Sequence, residues 1–472
     1  MIQIPFDNSY VKLPQQMFTA HLPTPVKEPQ IVATNAVLAE QLGIDPTKLN
    51  DANAEQVFGG NQIPNGAAPL AQVYAGHQFG NWNPQLGDGR AILLGEVVDR
   101  DGVRRDIQLK GSGPTPYSRS GDGRAWLGPV MREYIVSEAM HGMGVPTTRA
   151  LAAVTTGETV YREEMLPGAI ITRVAQSHIR VGTFQFFASR NDLEALQALT
   201  DHVIARHYPK ASGPAELLDM VIARYARLIA KWMSLGFIHG VMNTDNVSIA
   251  GETIDYGPCA FMDAFHPDSV FSAIDRYGRY AYSNQPAIGA WNMAQFATAL
   301  IPLMADREAA IRDFTAAVHR FPALHEEAWL NEFGCKLGIT DVTEEDRTLI
   351  IDLLDLMTRD GADFTNVFAS LGTDTARNQF SNREEFAVWE TRWHTRKSPD
   401  AAKIMANTTP KIIPRNHRVE EVILAGHHGD LAPFHALLEA ATHPYKSLND
   451  GTAAFARAPT QDQRVTQTFC GT

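Results

Sequence analysis

Asn246 and Asp255 stand nine residues apart, and each offers an oxygen to a hard divalent cation. Amide and carboxylate oxygens are the donors that hold Mg²⁺ or Mn²⁺ between a protein and nucleotide phosphates. Asn246 closes the string His239-Gly240-Val241-Met242-Asn243-Thr244-Asp245-Asn246, and Asp255 opens Asp255-Tyr256-Gly257. Directly before the amide sits Asp245, whose carboxylate could accept a proton from a hydroxyl nucleophile. Val241, directly after His-Gly, cannot, because its side chain is apolar. His239 is expected to brace the loop rather than to act chemically.

This spelling has the spacing of a kinase catalytic loop and its metal-binding Asp-x-Gly, with one departure. Small-molecule kinases place an Asp directly after His-Gly and an Asn five residues later; here the first is Val241 and the second is kept as Asn246. The loop therefore reads as built to hold ATP and Mg²⁺ or Mn²⁺, with the acid/base relocated to Asp245.

Other groups fit a phosphate site only as parts of that pattern. Gly87-Asp88-Gly89-Arg90 precedes a strand, and a glycine turn lets backbone N–H groups approach phosphates. Lys110 ends the next strand, and Glu133 follows in a helix, the pairing by which kinases orient phosphates. Ser118-Arg119-Ser120-Gly121-Asp122-Gly123-Arg124 is a polar glycine loop. Arg173 ends another strand and Arg180 lies seven residues on; guanidinium forks suit phosphate oxygens. Singly, each of these reads as a turn, a solvated loop or a surface ion pair.

The elements that would position them change character along the chain. Ala91–Val98 and Arg105–Lys110 read as a β-hairpin around Asp101-Gly102. Pro129–Met143 reads as a helix closing at Gly144, and further strands are expected at Ala150–Val154, Thr159–Glu164 and Ala169–Val174. An early helix is expected at Ala36–Leu42. Beyond about residue 190 the pattern is helical: Ala215–Leu235, Ala290–Leu303, Arg307–Val318, Glu344–Thr358, Arg383–His394, Val419–Gly426 and Leu431–Ala441. The fold class expected is α+β, a bilobal protein-kinase-like fold with a β-rich N-lobe and a mainly helical C-lobe. Its expected parts are an N-terminal extension with the N-lobe over 1–175, the C-lobe over 176–442, and a tail over 443–472.

Composition bounds the function. The 472 residues are 44% apolar, enough for a large core, and 41 Lys and Arg against 53 Asp and Glu give a net charge of −12. Such a chain is not expected to bind nucleic acid or an anionic membrane generally, since that needs a basic face. Three cysteines, none in CxxC spacing, fit a reducing compartment rather than a disulfide scaffold or zinc site. With no long apolar run and no basic leader, a cytoplasmic protein outside the membrane is expected, as a monomer.

Longer strings carry a resemblance. Tyr74-Ala75-Gly76-His77-Gln78-Phe79-Gly80, Pro84 to Arg90, Gln108 to Arg119, Gly121 to Arg124, Asn243 to Asn246, Thr253 to Pro258 and the closing Thr468-Phe469-Cys470-Gly471-Thr472 together resemble the selenoprotein O (YdiU) family of kinase-like proteins. The resemblance runs from about residue 70 to the end. It implies a protein adenylyltransferase: ATP bound in a flipped orientation, AMP passed to Ser, Thr or Tyr hydroxyls of proteins, pyrophosphate released. It also implies roles: Lys110 and Glu133 as the ion pair; Gly87, Gly89 and Arg90 as the nucleotide loop; Asp122, Gly123, Arg173 and Arg180 around the inverted nucleotide. Asp245 matches the acid/base, and Asn246 and Asp255 the metal ligands.

The family's tail cysteine is thought to pair with a cysteine after Asp-Tyr-Gly. This chain reads Val270-Phe271-Ser272-Ala273 there, leaving Cys259 as the nearby thiol and Cys259–Cys470 as the bond to consider. Two rival readings stand beside adenylylation. One is a phosphotransferase with the γ-phosphate near Asp245. The other is a non-catalytic ATP-binding pseudokinase regulator, suggested by Val241 but opposed by retention of both metal ligands.

Overall fold

Seven strands near the N-terminal end make the main sheet of this computed structural model, which describes residues 2–469. They are β1 (Phe18–Ala20), β2 (Gln30–Thr34), β3 (Leu70–Gln72), β4 (Ala91–Val98), β5 (Arg104–Lys110), β6 (Arg149–Tyr161) and β7 (Met165–Ala175). Their order is β1-β3-β4-β5-β7-β6-β2, antiparallel at every step, and Ala125–Trp126 adds a short eighth strand against β7. The chain is thus α+β, with a sheet of antiparallel strands followed by helices.

The period-two alternation of β5 and β7 divides the sheet chemically. Ile107, Leu109, Ile170 and Val174 face one core with Ile92 and Leu94. Gln108 and Lys110 face the other way, and Arg173 lies directly across from Gln108. A bulge between Leu93 and Gly95 puts Glu96 opposite Asp106. The result is a buried face on which a polar patch, Gln108, Lys110 and Arg173, adjoins the apolar Ile171.

The hairpin expected at 91–110 is present, with Asp99 capping its turn by accepting from the Asp101 and Val103 amides. The two strands expected at 150–154 and 159–164 are one strand, β6. Gly157, at φ +68°, sits where the pairing with β7 shifts register, so the strand bends there without ending.

Helix α1 (Leu127–Gly142) crosses the sheet and carries Glu133 toward its polar face. Val130, Met131, Tyr134 and Ile135 of α1 pack on Ala150, Ala153 and Ile171. Val419, Val422, Phe434 and Leu437, from helices Asn416–His427 and Ala432–Ala441, close over the same cluster. The largest apolar cluster lies in the helical part, around α2 (Val181–Ala188), α3 (Leu193–His207), α4 (Pro214–Ser234) and α5 (Gln285–Leu300). At the end of α3, Arg206 joins this part to the sheet through Glu96 and Asp106, each at 2.6 Å.

The segment expected as a tail is anchored within its described part. Thr468 donates its amide to Phe271 and its hydroxyl to Pro258, and accepts from Ala273. Cys470, and with it the Cys259–Cys470 pairing, lies outside the described residues. Among the described residues, no helix is long and apolar enough to cross a membrane.

Candidate active site

Helix α4 delivers the loop that begins at His239. A two-stranded pairing, Phe237–Ile238 with Ala260–Phe261, clamps its base. His239 is buried; its Nε2 faces the Ile254 carbonyl at 3.0 Å, and its Nδ1 faces the Val241 amide at 3.4 Å. Burial lowers its pKa, which favours a neutral ring donating from Nε2. The ring therefore ties the loop to the segment before Asp255, the bracing role its sequence position predicts. Asn246 donates its side-chain N–H to the Val241 carbonyl at 2.9 Å, which leaves its Oδ1 as a potential ligand.

Asp255 is the electrostatic centre. Its backbone sits at φ +64°, a left-handed conformation that costs a non-glycine residue of order 1–3 kcal/mol. Its Oδ1 meets Lys110 Nζ at 3.0 Å and Arg173 Nη1 at 2.5 Å, and its Oδ2 meets Arg180 Nη1 at 2.6 Å. Glu133 shares two of these cations, Lys110 at 2.6 Å and Arg173 at 3.3 Å. Burial alone would raise the Asp255 pKa; the three cations overcome it and hold the carboxyl well below the usual range. Gln108 fixes Arg173 through Nη2 at 2.6 Å, so the sheet's polar face sets the guanidinium plane.

Asp245 has the opposite environment. It is 7% exposed, and burial pushes its pKa up to about 6. One oxygen accepts from Gln78 at 2.9 Å; the other, Oδ1, is buried with no hydrogen-bond partner. Gln78 belongs to a small hairpin, Gly76–Gln78 with Asn81–Asn83. The His77 and Phe79 amides of that hairpin donate to Thr244 Oγ1 and Asn243 Oδ1, at 2.7 and 3.0 Å. The hairpin is thus bolted to the loop carrying Asp245.

These groups open on one cavity of about 730 Å³. Every residue expected at the site except Glu133 lines it, and Glu133 stands behind Lys110. Gly87, at φ +127°, lies against the Tyr117 ring where a side chain would collide. Gly123, at φ +65°, packs onto the Gly113 carbonyl. Asp122 lines the rim, but its carboxylate is occupied by Arg162 at 2.8 and 3.2 Å. Arg90 lines the cavity, half-buried.

Three further residues belong to the site and were not expected there. Asp88 lines the cavity, 2% exposed, its pKa pushed up to about 6 by burial, accepting from the Gln72 amide and Gln108. Tyr74 lies under the Arg180 guanidinium, 4.7 Å from Cζ to ring centre. Gln78 holds Asp245. Asp88 was visible in its glycine string; the other two contacts join distant segments and leave no local signal.

Among the described residues no cluster of three or more His, Cys, Asp or Glu forms a cage for a metal. The donor set is nevertheless consistent with a phosphate-bridging Mg²⁺ or Mn²⁺: the Asp255 carboxylate and the Asn246 amide oxygen both line the cavity. Such ions take one or two protein carboxylates and complete their shell from phosphate and water.

Comparison with known proteins places this geometry in context. The sequence model of a family described as Protein adenylyltransferase SelO matches residues 1–442. A protein named Protein nucleotidyltransferase YdiU from Ruegeria sp. (strain TM1040) is 59% identical over 100% of both chains. Proteins of the same name from Roseobacter denitrificans and Rhodopseudomonas palustris (strain BisB18) are 59% and 54% identical, again over 100% of both chains.

Proposed function

Because the chain belongs to the SelO family of protein adenylyltransferases, we propose that it moves AMP from ATP to Ser, Thr or Tyr hydroxyls of proteins and releases pyrophosphate. It is a nucleotidyltransferase. The observation that carries the residue roles is the convergence of Lys110, Arg173 and Arg180 on Asp255, beside an unpartnered Asp245 oxygen, in a loop whose position after His-Gly is Val241.

In this reading the acceptor oxygen attacks the α-phosphorus, and the bond from that phosphorus to the oxygen bridging to the β-phosphate breaks. Asp245 takes the hydroxyl proton on its carboxylate. Lys110, oriented by Glu133, and Arg173 and Arg180, oriented by Gln108 and Tyr74, neutralise charge on the phosphates and on the departing pyrophosphate. Gly87, Gly89 and Gly123 let the backbone approach the nucleotide, and Arg90 and Asp122 border it. A divalent ion held by Asn246 and Asp255 would spread negative charge over the phosphoryl oxygens. Proton removal contributes little early in a loose transition state, so an apolar Val241 is compatible with transfer.

The two-lobed kinase-like organisation, with an N-lobe over 1–175 and a C-lobe over 176–442, is part of this proposal. So are a monomeric state and a cytoplasmic location; the latter is supported by three cysteines and no described membrane-spanning helix.

ATP labelled at the α- or the γ-phosphate tests the reading, with Mg²⁺, a cell lysate and Asp245→Ala as control. Label from α alone, lost in the variant, is expected. Label from γ alone would make the protein a kinase, and no label with ATP still bound would favour a regulator.

A further inference from the structure

An acceptor hydroxyl must come within hydrogen-bond reach of Asp245, and one wall of that approach is unassigned. It is the Gly76–Asn83 hairpin with the segment Val270–Tyr280 packed beside it. Gln78 and Phe79 of the hairpin and Ile274 of the segment line the cavity. Ile274 is 57% exposed, and outside the cavity Trp82 and Tyr277 are 39% and 98% exposed.

Arg279 sits where the two elements meet. Its Cζ lies 4.8 Å from the Trp291 ring centre and 5.7 Å from that of Tyr280. A Cβ built on Gly80 would stand 3.6 Å from Arg279 Cζ, so the guanidinium covers the hairpin turn. Its Nε is buried without an acceptor. The nearby Asp275 spends its carboxylate on the Arg279 and Tyr280 amides, at 3.0 and 2.8 Å. Among the described residues Arg279 makes no ion pair, unlike Arg173, Arg180 and Arg162, which line the cavity.

A guanidinium held beside aromatic rings, hydrogen-bonded to the Tyr280 side chain but paired with no carboxylate, is shaped to receive one. It is also linked to the chemistry. Tyr280 donates to Asn243 at 2.7 Å, and Gly80 is two residues from Gln78, which holds Asp245. Two residues of extended chain span roughly 7 Å. A segment placing its hydroxyl at Asp245 would pass a neighbouring side chain over Arg279.

We propose that Arg279 and the hairpin it covers form the acceptor-protein docking surface, and that it selects acidic residues within three positions of the modified hydroxyl. This rests on the adenylyltransferase reading and names its substrate class. The chain's overall charge of −12 does not oppose it, because charges beyond about 8–10 Å are screened at physiological salt.

The test uses synthetic peptides sharing one Ser acceptor, with Asp, Ala or Lys at each position within three residues of it. AMP transfer is measured for the wild-type chain, Arg279→Gln and Arg279→Glu, with ATP affinity measured in parallel. The expected result is about tenfold higher kcat/KM for an Asp peptide than for its Lys counterpart. That preference should be lost in Arg279→Gln and reversed in Arg279→Glu, at unchanged ATP affinity. Equal losses on all peptides would show a merely structural arginine and overturn the proposal. No flanking-charge preference in the wild type, or labelling of lysate proteins but of no peptide, would overturn it too. Transfer of γ-label with the same charge dependence would refute the reaction while leaving the docking surface standing.

Discussion

Replacing Asp245 by Asn should make the protein more stable and inactive at once. Burial raises the Asp245 pKa from 3.8 to about 6, even though Gln78 and Arg180 pull the other way. Because the folded-state value is the higher one, folding resists ionisation of this group. No penalty exists below about pH 4, it grows through the interval, and it is complete above about pH 6. At about 1.36 kcal/mol per pKa unit, roughly two units amount to about 3 kcal/mol. Asn imitates the neutral acid, keeps an oxygen for Gln78, and removes that penalty. For 472 residues the unfolding entropy is about 1 kcal/mol per degree, so the gain is about 3 °C in melting temperature. Calorimetry of both proteins in a chelating buffer, at pH 8 and at pH 4, isolates the charge; AMP transfer is assayed with metal at pH 8. An Asn variant no more stable than wild type at pH 8, or equally stabilised at both pH values, would refute the burial argument. Retained transfer would remove Asp245 from the proton step.

Other expectations follow from the same contacts. Asp255→Ala leaves Arg180 without a carboxylate and Lys110 and Arg173 with Glu133 alone; breaking such buried pairs costs about 3 kcal/mol or more. It should lower the melting temperature and abolish Mg²⁺-dependent ATP binding in titration calorimetry; unchanged affinity would contradict the ligand assignment. Lys110→Ala should slow transfer about tenfold or more, equivalent to about 1.4 kcal/mol, and a rate within twofold of wild type would rule out its phosphate role. Gly123→Ala combines a left-handed backbone with a collision against Gly113, and should weaken ATP binding about tenfold, read by equilibrium titration.

What could be read before the structure was local. The run Ala91–Val98, the Asp-Gly turn and the alternation of Arg105–Lys110 carry their hairpin in neighbouring residues. The break expected near residue 157 failed because Gly157 absorbs a register shift that only its partner strand reveals. Helix Phe321–Lys336 went unrecognised: Pro322 occupies its first turn, and Gly334 packs on Val342. At the site, Asn246 and Asp255 share one loop system, so spacing betrays them. Gln78 reaches Asp245 across 167 residues, and Arg162 reaches Asp122 across 40. Such pairings are made by topology, and no local pattern encodes them.

The same topology resolves an apparent conflict between an acidic chain and an anionic substrate. Asp88 and Asp245 line the same cavity, but among the five groups that meet at Asp255, three cations share two carboxylates, Asp255 and Glu133, one positive charge in excess. Arg90 adds another at the cavity wall. The −12 belongs to the whole chain, and salt screens its distant solvated charges, whereas buried charges at the site act at short range and low dielectric. In the proposed reaction, nucleotide binding would rest on the polar side chains of a sheet whose strands alternate every second residue. A one-residue slip of β5 would turn Lys110 and Gln108 into the apolar core and Leu109 into the site. The bulge at Leu93–Gly95 and the pairing of Arg173 with Gln108 hold that register, so the electrostatics of the site depend on strand alignment as much as on the identities of its charged residues.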